Sequence, residues 1–235
     1  MQERLREARL RAQVDDLLLF VEHPPVITVG KQKDAFNDFL FPTDVLKQQG
    51  IEVVESNRGG RLTYHGPGQM VVYFIVSLAH LNVSIKQLVC QIAKATLQVL
   101  AHWGVEGNLH EGAPGVWIGK DKAAFIGLHV SRGVTVHGLS LNITRDLEGW
   151  KSIIPCGLAH TQVTSLENAL GFAPPWTQIR TAFLKAFEAI WGQPISVMDE
   201  KVGSSSEVTE VLGERSSTVT AISSVLAFSS GSDFK

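Results

Sequence analysis

The hydrophobic pattern predicts its clearest helix between Ser84 and Gly104. Apolar residues recur there at the three- and four-residue intervals of one helical face: Ile85, Leu88, Val89, Ile92, Leu97 and Leu100. Ser84 and Gln87 have the spacing of a capping box, in which each residue binds the backbone N–H group of the other. Gly104 can end the helix. A helix with one buried face is therefore expected over this segment.

Shorter patterns predict the other elements of the chain. Helical patterns mark four further segments: 4–14, 42–50, 165–170 and 176–191. Apolar runs or alternations bounded by turn residues predict eight strands: 17–21, 26–29, 51–54, 62–65, 70–76, 116–118, 123–130 and 135–142. Helices and strands follow one another in a mixed order without regular alternation, which predicts an α+β fold.

The composition separates a globular part from a tail. The sequence has 235 residues, of which 44% are hydrophobic and 19% charged, and these values are ordinary for one domain with a sizeable core. From about residue 201 onward, serine and threonine dominate and periodicity is lost. We therefore expect a single domain over 1–200 and a disordered Ser- and Thr-rich tail over 201–235, in which 219–228 could form a weak strand or helix.

Charge and cysteine content exclude several classes of function. The formal net charge is −2, so no global field attracts nucleic acid or an anionic membrane. The longest apolar run, which begins at Met70, is too short to span a bilayer, and 1–16 lacks the apolar core of a signal peptide. The two cysteines cannot form a disulfide framework, and no zinc-type spacing is present. We expect a cytoplasmic protein with no metal, no nucleic-acid partner and no membrane partner.

The segment 58–69, which reads RGGRLTYHGPGQ, concentrates unusual residues between two apolar strands. Gly59-Gly60 and Gly66-Pro67-Gly68 allow backbone conformations or close approaches that side chains would prevent. The residues between them carry a hydroxyl, a phenol and an imidazole. One interpretation is a substrate-binding loop whose backbone N–H groups hold a carbonyl or carboxylate. The other is a glycine-rich hairpin without a ligand.

Three kinds of side chain could carry chemistry. Cys156 lies in a predicted loop between proline and glycine, where it is either a nucleophile or a structural thiol. Lys122 begins an apolar strand and is either a solvated charge or a lysine whose pKa is lowered by desolvation in an apolar pocket. Lys120 is its rival. His65 and His137 could serve a cysteine hydrolase as general base, and their more modest role would be to shape the site.

Three segments together carry a resemblance to a known family. They are RGGRLTYHGPGQ at 58–69, KAAFIG at 122–127 with HGL at 137–139, and IPCGL at 154–158. In this order and spacing they resemble the lipoyl (octanoyl) transferases of lipoate biosynthesis, over roughly Leu17 to Gly192. The resemblance implies a mixed β-sheet flanked by helices, as in the catalytic domains of biotin and lipoate protein ligases. It also implies that 1–200 is a single catalytic acyltransferase domain.

The resemblance further implies an activity and a set of site residues. Cys156 would take an octanoyl group from octanoyl-acyl carrier protein as a thioester and pass it to the ε-amine of a lysine on a lipoyl domain, without a cofactor. Such domains occur in E2 subunits of 2-oxoacid dehydrogenases and in the glycine cleavage H protein. Lys122 would stabilise the thiolate and move protons. The residues implied to bind the substrate are Arg58, Gly59, Gly60, Arg61, Leu62, Thr63, Tyr64, His65, Phe125, Ile126, Gly127, Gly138, Leu139 and Ser140.

The residues by themselves also allow three other functions. An ATP-dependent lipoate or biotin ligase on the same fold, a cysteine hydrolase or amidase, and a non-catalytic binder of acyl carrier proteins each fit part of the pattern. Backbone N–H groups near Gly127 and Gly157 could stabilise an oxyanion. Five basic residues could surround one cavity mouth and attract acidic partner proteins: Arg58, Arg61, Lys120, Lys122 and Arg132.

Overall fold

The computed structural model describes residues 1–158, 161–198 and 219–224, and two β-sheets form its centre. In chain order the strands are β1 (Leu17–Val21), β2 (Val26–Val29), β3 (Glu52–Glu55), β4 (Leu62–His65), β5 (Gln69–Ile75), β6 (Gly107–His110), β7 (Ala113–Ile118), β8 (Asp121–Ser131), β9 (Val134–Asn142), β10 (Ile195–Met198) and β11 (Val219–Ser224). The large sheet has the order β10-β11-β1-β5-β9-β8-β7-β6, and the small sheet has the order β3-β2-β4.

Both sheets contain parallel and antiparallel pairs. In the large sheet β11 runs parallel to β1 and β10, whereas the other neighbouring strands are antiparallel. In the small sheet β2 is antiparallel to β4 and parallel to β3. The predicted α+β class with a mixed sheet is confirmed, but β2, β3 and β4 form a separate sheet. Sequence patterns identify strands and not their partners, because pairing depends on tertiary contacts.

Five α-helices lie within the described residues: α1 (Gln2–Leu10), α2 (Thr43–Gln48), α3 (Ile85–His102), α4 (Leu166–Leu170) and α5 (Trp176–Trp191). The predicted capping box begins α3, since the Gln87 N–H donates to Ser84 Oγ and the Ser84 N–H donates to Gln87 Oε1. Helix α1 ends earlier than predicted, because Ala12 adopts a φ of 54°, which a right-handed helix does not contain. None of the five combines the length and apolarity of a membrane span.

A different hydrophobic cluster covers each face of the large sheet. Helices α3 and α5 pack together over one face, where Phe74 meets Phe187. Helix α1 covers part of the other face, beside Val71 and Tyr73. Because successive side chains of a strand point to opposite faces, β5 supplies residues to both clusters. A third cluster joins the small sheet to Phe125 of β8, so that the two sheets face each other.

Strand β11 lies in the Ser- and Thr-rich tail, within the stretch 219–228 for which the sequence predicts at most a weak strand or helix. Five of its six residues pair in parallel with β1, from Leu17 opposite Thr220 to Val21 opposite Ser224. The domain boundary expected at residue 200 therefore divides one sheet. A strand of six residues has only a weak pattern of its own. Its pairing with β1 and β10 depends on backbone contacts with segments outside it, which a local pattern does not reveal. Residues 199–218 and 225–235 lie outside the described residues, and their disorder stays a prediction.

Candidate active site

A narrow cavity of about 70 Å³ lies between the two sheets. The small sheet and the loop that precedes β4 supply one wall, and β5, β8 and β9 supply the other. Cys156 lines this cavity, together with twelve of the fourteen residues predicted to bind the substrate. The structure thus brings the three motif segments to one place, although they are separated by up to a hundred residues in the chain.

Leu62 and Tyr64 are the two predicted residues that do not line the cavity. Side chains alternate along β4, so Thr63 and His65 face the cavity while their neighbours point away from it. Leu62 is fully buried beneath the small sheet, and the Tyr64 ring packs edge-on against Trp150 at a centroid distance of 6.0 Å. Their places indicate packing roles, and a part for them in substrate binding stays a prediction.

Five lining residues lie outside the fourteen predicted to bind the substrate: Thr28, Ser56, Val71, Tyr73 and His137, of which His137 is expected from the sequence to shape the site. Val71 and Tyr73 are alternate residues of β5, and this spacing is a signal that they share a face. The sequence does not tell which face of β5 meets the cavity, because that depends on the position of the small sheet. Thr28 and Ser56 belong to no motif, so no sequence signal marks them.

Lys122 and Cys156 form the chemical centre of the cavity region. Lys122 Nζ lies 3.6 Å from Cys156 Sγ, and the lysine is only 1% exposed. Its ammonium lies over two aromatic rings, 4.6 Å from the centroid of Trp117 and 4.8 Å from that of Phe125. Burial lowers the pKa of Lys122 from its ordinary value, and the neighbouring thiol opposes this shift. Lys120, the rival candidate, is exposed in the turn before β8.

The backbone of Lys122 is tied to the segment that follows the cysteine. Its N–H donates to the Gln162 carbonyl at 2.8 Å, and its carbonyl accepts from the Thr164 N–H at 3.0 Å. These two bonds fix the start of β8 relative to the residues after Cys156. The distance between the amine and the thiol is therefore set by main-chain hydrogen bonds as well as by side-chain packing.

Gly115 makes room for the Lys122 side chain. A Cβ atom at this position would lie 2.6 Å from Lys122 Cε and would also collide with the Ala124 carbonyl, and the φ of Gly115 is +145°. We expect Gly115→Ala to displace the amine from Cys156 and to slow alkylation of the thiol by iodoacetamide at pH 7 about tenfold. Gly119→Ala on the neighbouring turn is the control for a positive φ, because a Cβ there meets no atom within 4 Å. An equal effect of the two substitutions would contradict the role of Gly115.

Cys156 has an unusual backbone conformation in a short 3₁₀ turn, Pro155–Gly157, with a φ of 56°. Gly157 follows with a φ of +71°, and a Cβ there would meet Arg61. The Arg61 guanidinium in turn binds the Asp38 carboxylate and the carbonyls of Lys33 and Asp34. The cysteine loop is therefore packed against a fixed arginine, and strained backbone of this kind is typical of functional sites.

The Gly157 N–H is not available to a substrate oxyanion. It donates to the Ile154 carbonyl at 3.2 Å within the cysteine turn. The expectation of an oxyanion hole near Gly127 and Gly157 therefore loses the Gly157 N–H as a donor, and for the other N–H groups of these segments it stays a prediction. A turn that holds the cysteine in place uses this N–H for its own hydrogen bond, which the PCG sequence does not reveal.

Arg58 places a buried positive charge in the cavity wall. Its guanidinium donates to Thr28 Oγ1 and to the carbonyls of Thr28, Gly59 and Arg61. No carboxylate lies within 4 Å of it among the residues that the structure describes. Burial lowers the pKa of Arg58 to about 10, and Cys156 opposes the shift. The guanidinium therefore stays charged at neutral pH beside the thiol.

The two motif histidines are neutral and held by other side chains. Burial lowers the pKa of His65 to about 4 and that of His137 to about 3. His65 Nδ1 bonds to Gln69 Oε1 at 2.6 Å, and His137 bonds to the side chains of Gln2 and Asn57. Among the described residues the hydrogen-bond partner of the Cys156 thiol is Lys122. These contacts favour a cysteine–lysine pair over a cysteine–histidine pair.

The expected ring of basic residues is not formed. Arg58 and Arg61 line the cavity and Lys122 is buried beside it. Lys120, however, precedes the eleven-residue strand β8 and Arg132 follows it, so an extended chain of about 40 Å separates them. Arg132 also pairs with Glu7. Within the described part of the chain no group of three or more His, Cys, Asp or Glu side chains could hold a metal ion.

Comparison with known protein families shows the family to which this chain belongs. The family model of the lipoyl protein ligase A/B catalytic domain matches residues 1–188. The chain belongs to this family. Members named octanoyltransferase include one from Chloroflexus aggregans, 38% identical over 202 residues that cover 84% of this chain and 91% of the relative. Another from Magnetococcus marinus is 42% identical over 176 residues, with 75% and 79% covered. The protein is accordingly an acyltransferase of the family.

Relatives of different length share this catalytic domain. An octanoyltransferase from Myxococcus xanthus is 38% identical over 188 residues, which are 77% of this chain and 52% of that protein. Solved structures show the same fold at lower identity. Lipoate-protein ligase A bound with ATP has a TM-score of 0.70 at 15% identity, with 87% of this chain and 85% of that chain covered. A bi-partite lipoate protein ligase from Thermoplasma acidophilum has a TM-score of 0.67 at 16% identity, with 88% and 85% covered. The predicted lipoate-ligase architecture is confirmed.

Proposed function

We propose that this protein transfers an octanoyl group from octanoyl-acyl carrier protein to the ε-amine of a lysine on a lipoyl domain, through a thioester on Cys156. The observation that carries the proposal is the 3.6 Å approach of the buried Lys122 Nζ to Cys156 Sγ, which lines a narrow cavity. Octanoyl is the acyl group named in the relatives, and the family is one of lipoyl protein ligases. Lipoyl domains of E2 subunits and the glycine cleavage H protein are the proposed acceptors.

In the first step the Cys156 thiolate attacks the thioester carbonyl of the donor. A bond forms between Sγ and the carbonyl carbon, and the bond to the donor sulfur breaks when the tetrahedral intermediate collapses. The Lys122 ammonium gives its proton to the departing thiol. The products are the acyl-enzyme and the free acyl carrier protein, and Lys122 is left as a neutral amine.

In the second step the ε-amine of the acceptor lysine attacks the acyl-enzyme. Neutral Lys122 takes a proton from the attacking nitrogen, the C–S bond breaks, and the amide leaves with the lipoyl domain. The thiolate and the ammonium are then restored. The lowered pKa of Lys122 suits this cycle, because the group must both release and accept a proton near neutral pH.

The loop 58–61 supplies charge stabilisation for these steps. Arg58 contributes a permanent positive charge in a poorly hydrated wall. The Gly60 N–H has no acceptor among the described residues, and Gly60 lines the cavity. Donors that are already oriented and kept from water stabilise developing negative charge more strongly than solvated ones. The interpretation of 58–69 as a substrate-binding loop is therefore part of the proposal.

Intact-protein mass spectrometry tests the proposal. The full chain is mixed with octanoylated acyl carrier protein without ATP, and a lipoyl domain is added afterwards. We expect one octanoyl adduct that maps to Cys156 and disappears as the lipoyl domain gains the same mass. Modification of the lipoyl domain only in the presence of ATP and free octanoate would instead identify an ATP-dependent ligase. Release of octanoate to water in place of transfer would identify a hydrolase.

A further inference from the structure

His137 has a backbone conformation that sets it apart in the sheet. Its φ is 63°, and among the described residues it is the one non-glycine residue with a positive φ inside a β-strand. The conformation is unfavourable for most residues, and histidine is among the few that adopt it more often. It places the imidazole beside Tyr73, with a ring-centroid distance of 6.3 Å, on the cavity side of the large sheet.

A hydrogen-bond network holds the ring and determines its tautomer. The His137 N–H donates to Gln2 Oε1 at 2.6 Å, and Gln2 Nε2 donates to His137 Nδ1 at 3.4 Å. Asn57 Nδ2 donates to Glu3 Oε1 at 2.7 Å, which leaves Asn57 Oδ1 to accept from the imidazole Nε2–H. His137 is thus a neutral ring whose two nitrogens are both used. Helix α1, which carries Gln2 and Glu3, anchors it.

Strand register places His137 away from the reactive pair. Lys122 and Phe125 on β8 mark the end of the cavity near Cys156, and Phe125 is paired with Ser140. Three residues further along the strand pairing, Leu128 lies opposite His137. This separation is about 10 Å, which is comparable with the length of an extended eight-carbon chain.

Little side-chain volume fills the sheet between these two points. Gly127 lines the cavity opposite the backbone of Gly138, and a Cβ at Gly127 would approach the Gly59 carbonyl at 3.2 Å, whereas one at Gly138 would meet Phe74 on the helix-covered face. An alkyl chain that extends from Cys156 past Gly127 would reach the His137 ring, which lies beside Tyr73 in the cavity wall. The ring is only 7% exposed and is braced from behind by helix α1.

We propose that His137, braced by Gln2 and Asn57, closes the far end of the acyl cavity and so sets the length of acyl chain that the enzyme accepts. This inference rests on the proposed function of Cys156 as acyl acceptor. A longer chain must displace the ring and break hydrogen bonds that the buried polar groups cannot replace. An eight-carbon chain ends before it reaches them.

The test compares acyl donors of different length on ring-removing variants. His137→Asn keeps a residue that tolerates a positive φ, and His137→Gly removes the side chain without backbone strain. Acyl carrier proteins with eight- and twelve-carbon chains are mixed with each variant, and the rate of the Cys156 adduct is followed by intact mass. We expect the ratio of the twelve- to the eight-carbon rate to rise at least about tenfold in His137→Gly, with a smaller rise in His137→Asn.

Two further variants keep the result interpretable. His129→Gly makes the same exchange in β8 at a residue that does not line the cavity, and its ratio should equal that of the wild type. Gln2→Ala leaves the ring in place but removes its brace, and should raise the ratio by about fivefold. This variant tests the inference even if His137→Gly does not fold.

The outcomes that overturn the inference can be told apart. If wild type forms an octanoyl adduct, but the His137 and Gln2 variants lower all rates in proportion, the ring has a structural role and does not set chain length. If wild type forms no adduct with any donor, the proposed function is wrong, and the inference that rests on it falls with it.

Discussion

Replacing Cys156 by alanine is expected to abolish octanoyl transfer, with a loss of at least about 10⁴-fold in the rate of lipoyl-domain modification. Alanine offers no nucleophile for the thioester, so the two-step route is closed and only direct attack by the acceptor amine remains. The fold should be preserved, because Cys156 is partly exposed in a short turn and packs against the third cluster without being one of its buried members. Transfer is measured by the mass of a lipoyl domain incubated with octanoyl-acyl carrier protein.

Cys90 provides the matched control for this experiment. It is the other of the two cysteines and is exposed on helix α3, outside the cavity. Cys90→Ala should transfer octanoyl groups at the wild-type rate and should still form the adduct. Transfer by Cys156→Ala at a rate close to that of the wild type would rule out the thioester route and return attention to a ligase mechanism.

Lys122→Met is expected to separate activity from stability. Methionine matches the length of the buried lysine stem but can neither release nor accept a proton, so transfer should fall about 10²- to 10⁴-fold. Alkylation of Cys156 by iodoacetamide at pH 7 should also slow, because the ammonium that lies 3.6 Å from the sulfur is removed. The rate of adduct formation and the rate of alkylation measure the two effects.

The same substitution should make the protein more stable at neutral pH. The pKa of Lys122 is lowered in the folded state from 10.5, so between the folded value and 10.5 the unfolded chain binds more protons and stability rises with pH. Below the folded value, both states are protonated and the cost of burying the charge is present in full. Lys122→Met removes that cost, and we expect a gain of about 1 kcal/mol at pH 7 that shrinks towards pH 10.5.

Lys120→Met is the control for both measurements. Lys120 is exposed and lies two residues before Lys122. Its replacement should therefore change neither the rate at which Cys156 is alkylated nor the pH dependence of stability. Thermal unfolding at pH 7 and at pH 10 provides the comparison. A destabilised Lys122→Met protein would show that the ammonium contributes more through its contacts with Trp117 and Phe125 than its burial costs.

Local sequence patterns predict a helix or strand well where the interactions that stabilise it lie within one segment. The capping box and apolar face of α3 lie within a single helix, and the observed bounds differ by only a few residues from the predicted ones. The pairing of strands has its cause in other segments. The separate small sheet and the position of β11 between β1 and β10 follow from backbone contacts between residues far apart in the chain.

The reactive residues show the same division. Motif chemistry singles out Cys156 and Lys122 within the sequence, yet a lysine at the start of a strand is ordinarily a solvated charge. Only the packing of Trp117 and Phe125 around it, together with the space left by Gly115, makes Lys122 a buried amine. Burial lowers its pKa and the 3.6 Å approach to the thiol raises it, and both are properties of the assembled fold.

The amino-acid sequence by itself determined the α+β class, most of the helices and strands, and most of the residues that meet at the cavity. The class and its elements depend on local periodicity and turn residues, which a chain carries wherever it folds, whereas the cavity residues were implied by the resemblance of the three motif segments to a known family. The tertiary structure alone decided that Leu62 and Tyr64 face away from the cavity and that the Gly157 N–H is occupied. It also decided that His137 lines the cavity three residue pairs from Phe125. The face to which a side chain points, the register of a strand and its hydrogen-bond partners are set by contacts between distant segments. A change of register by one residue would turn every side chain of a strand to the opposite face.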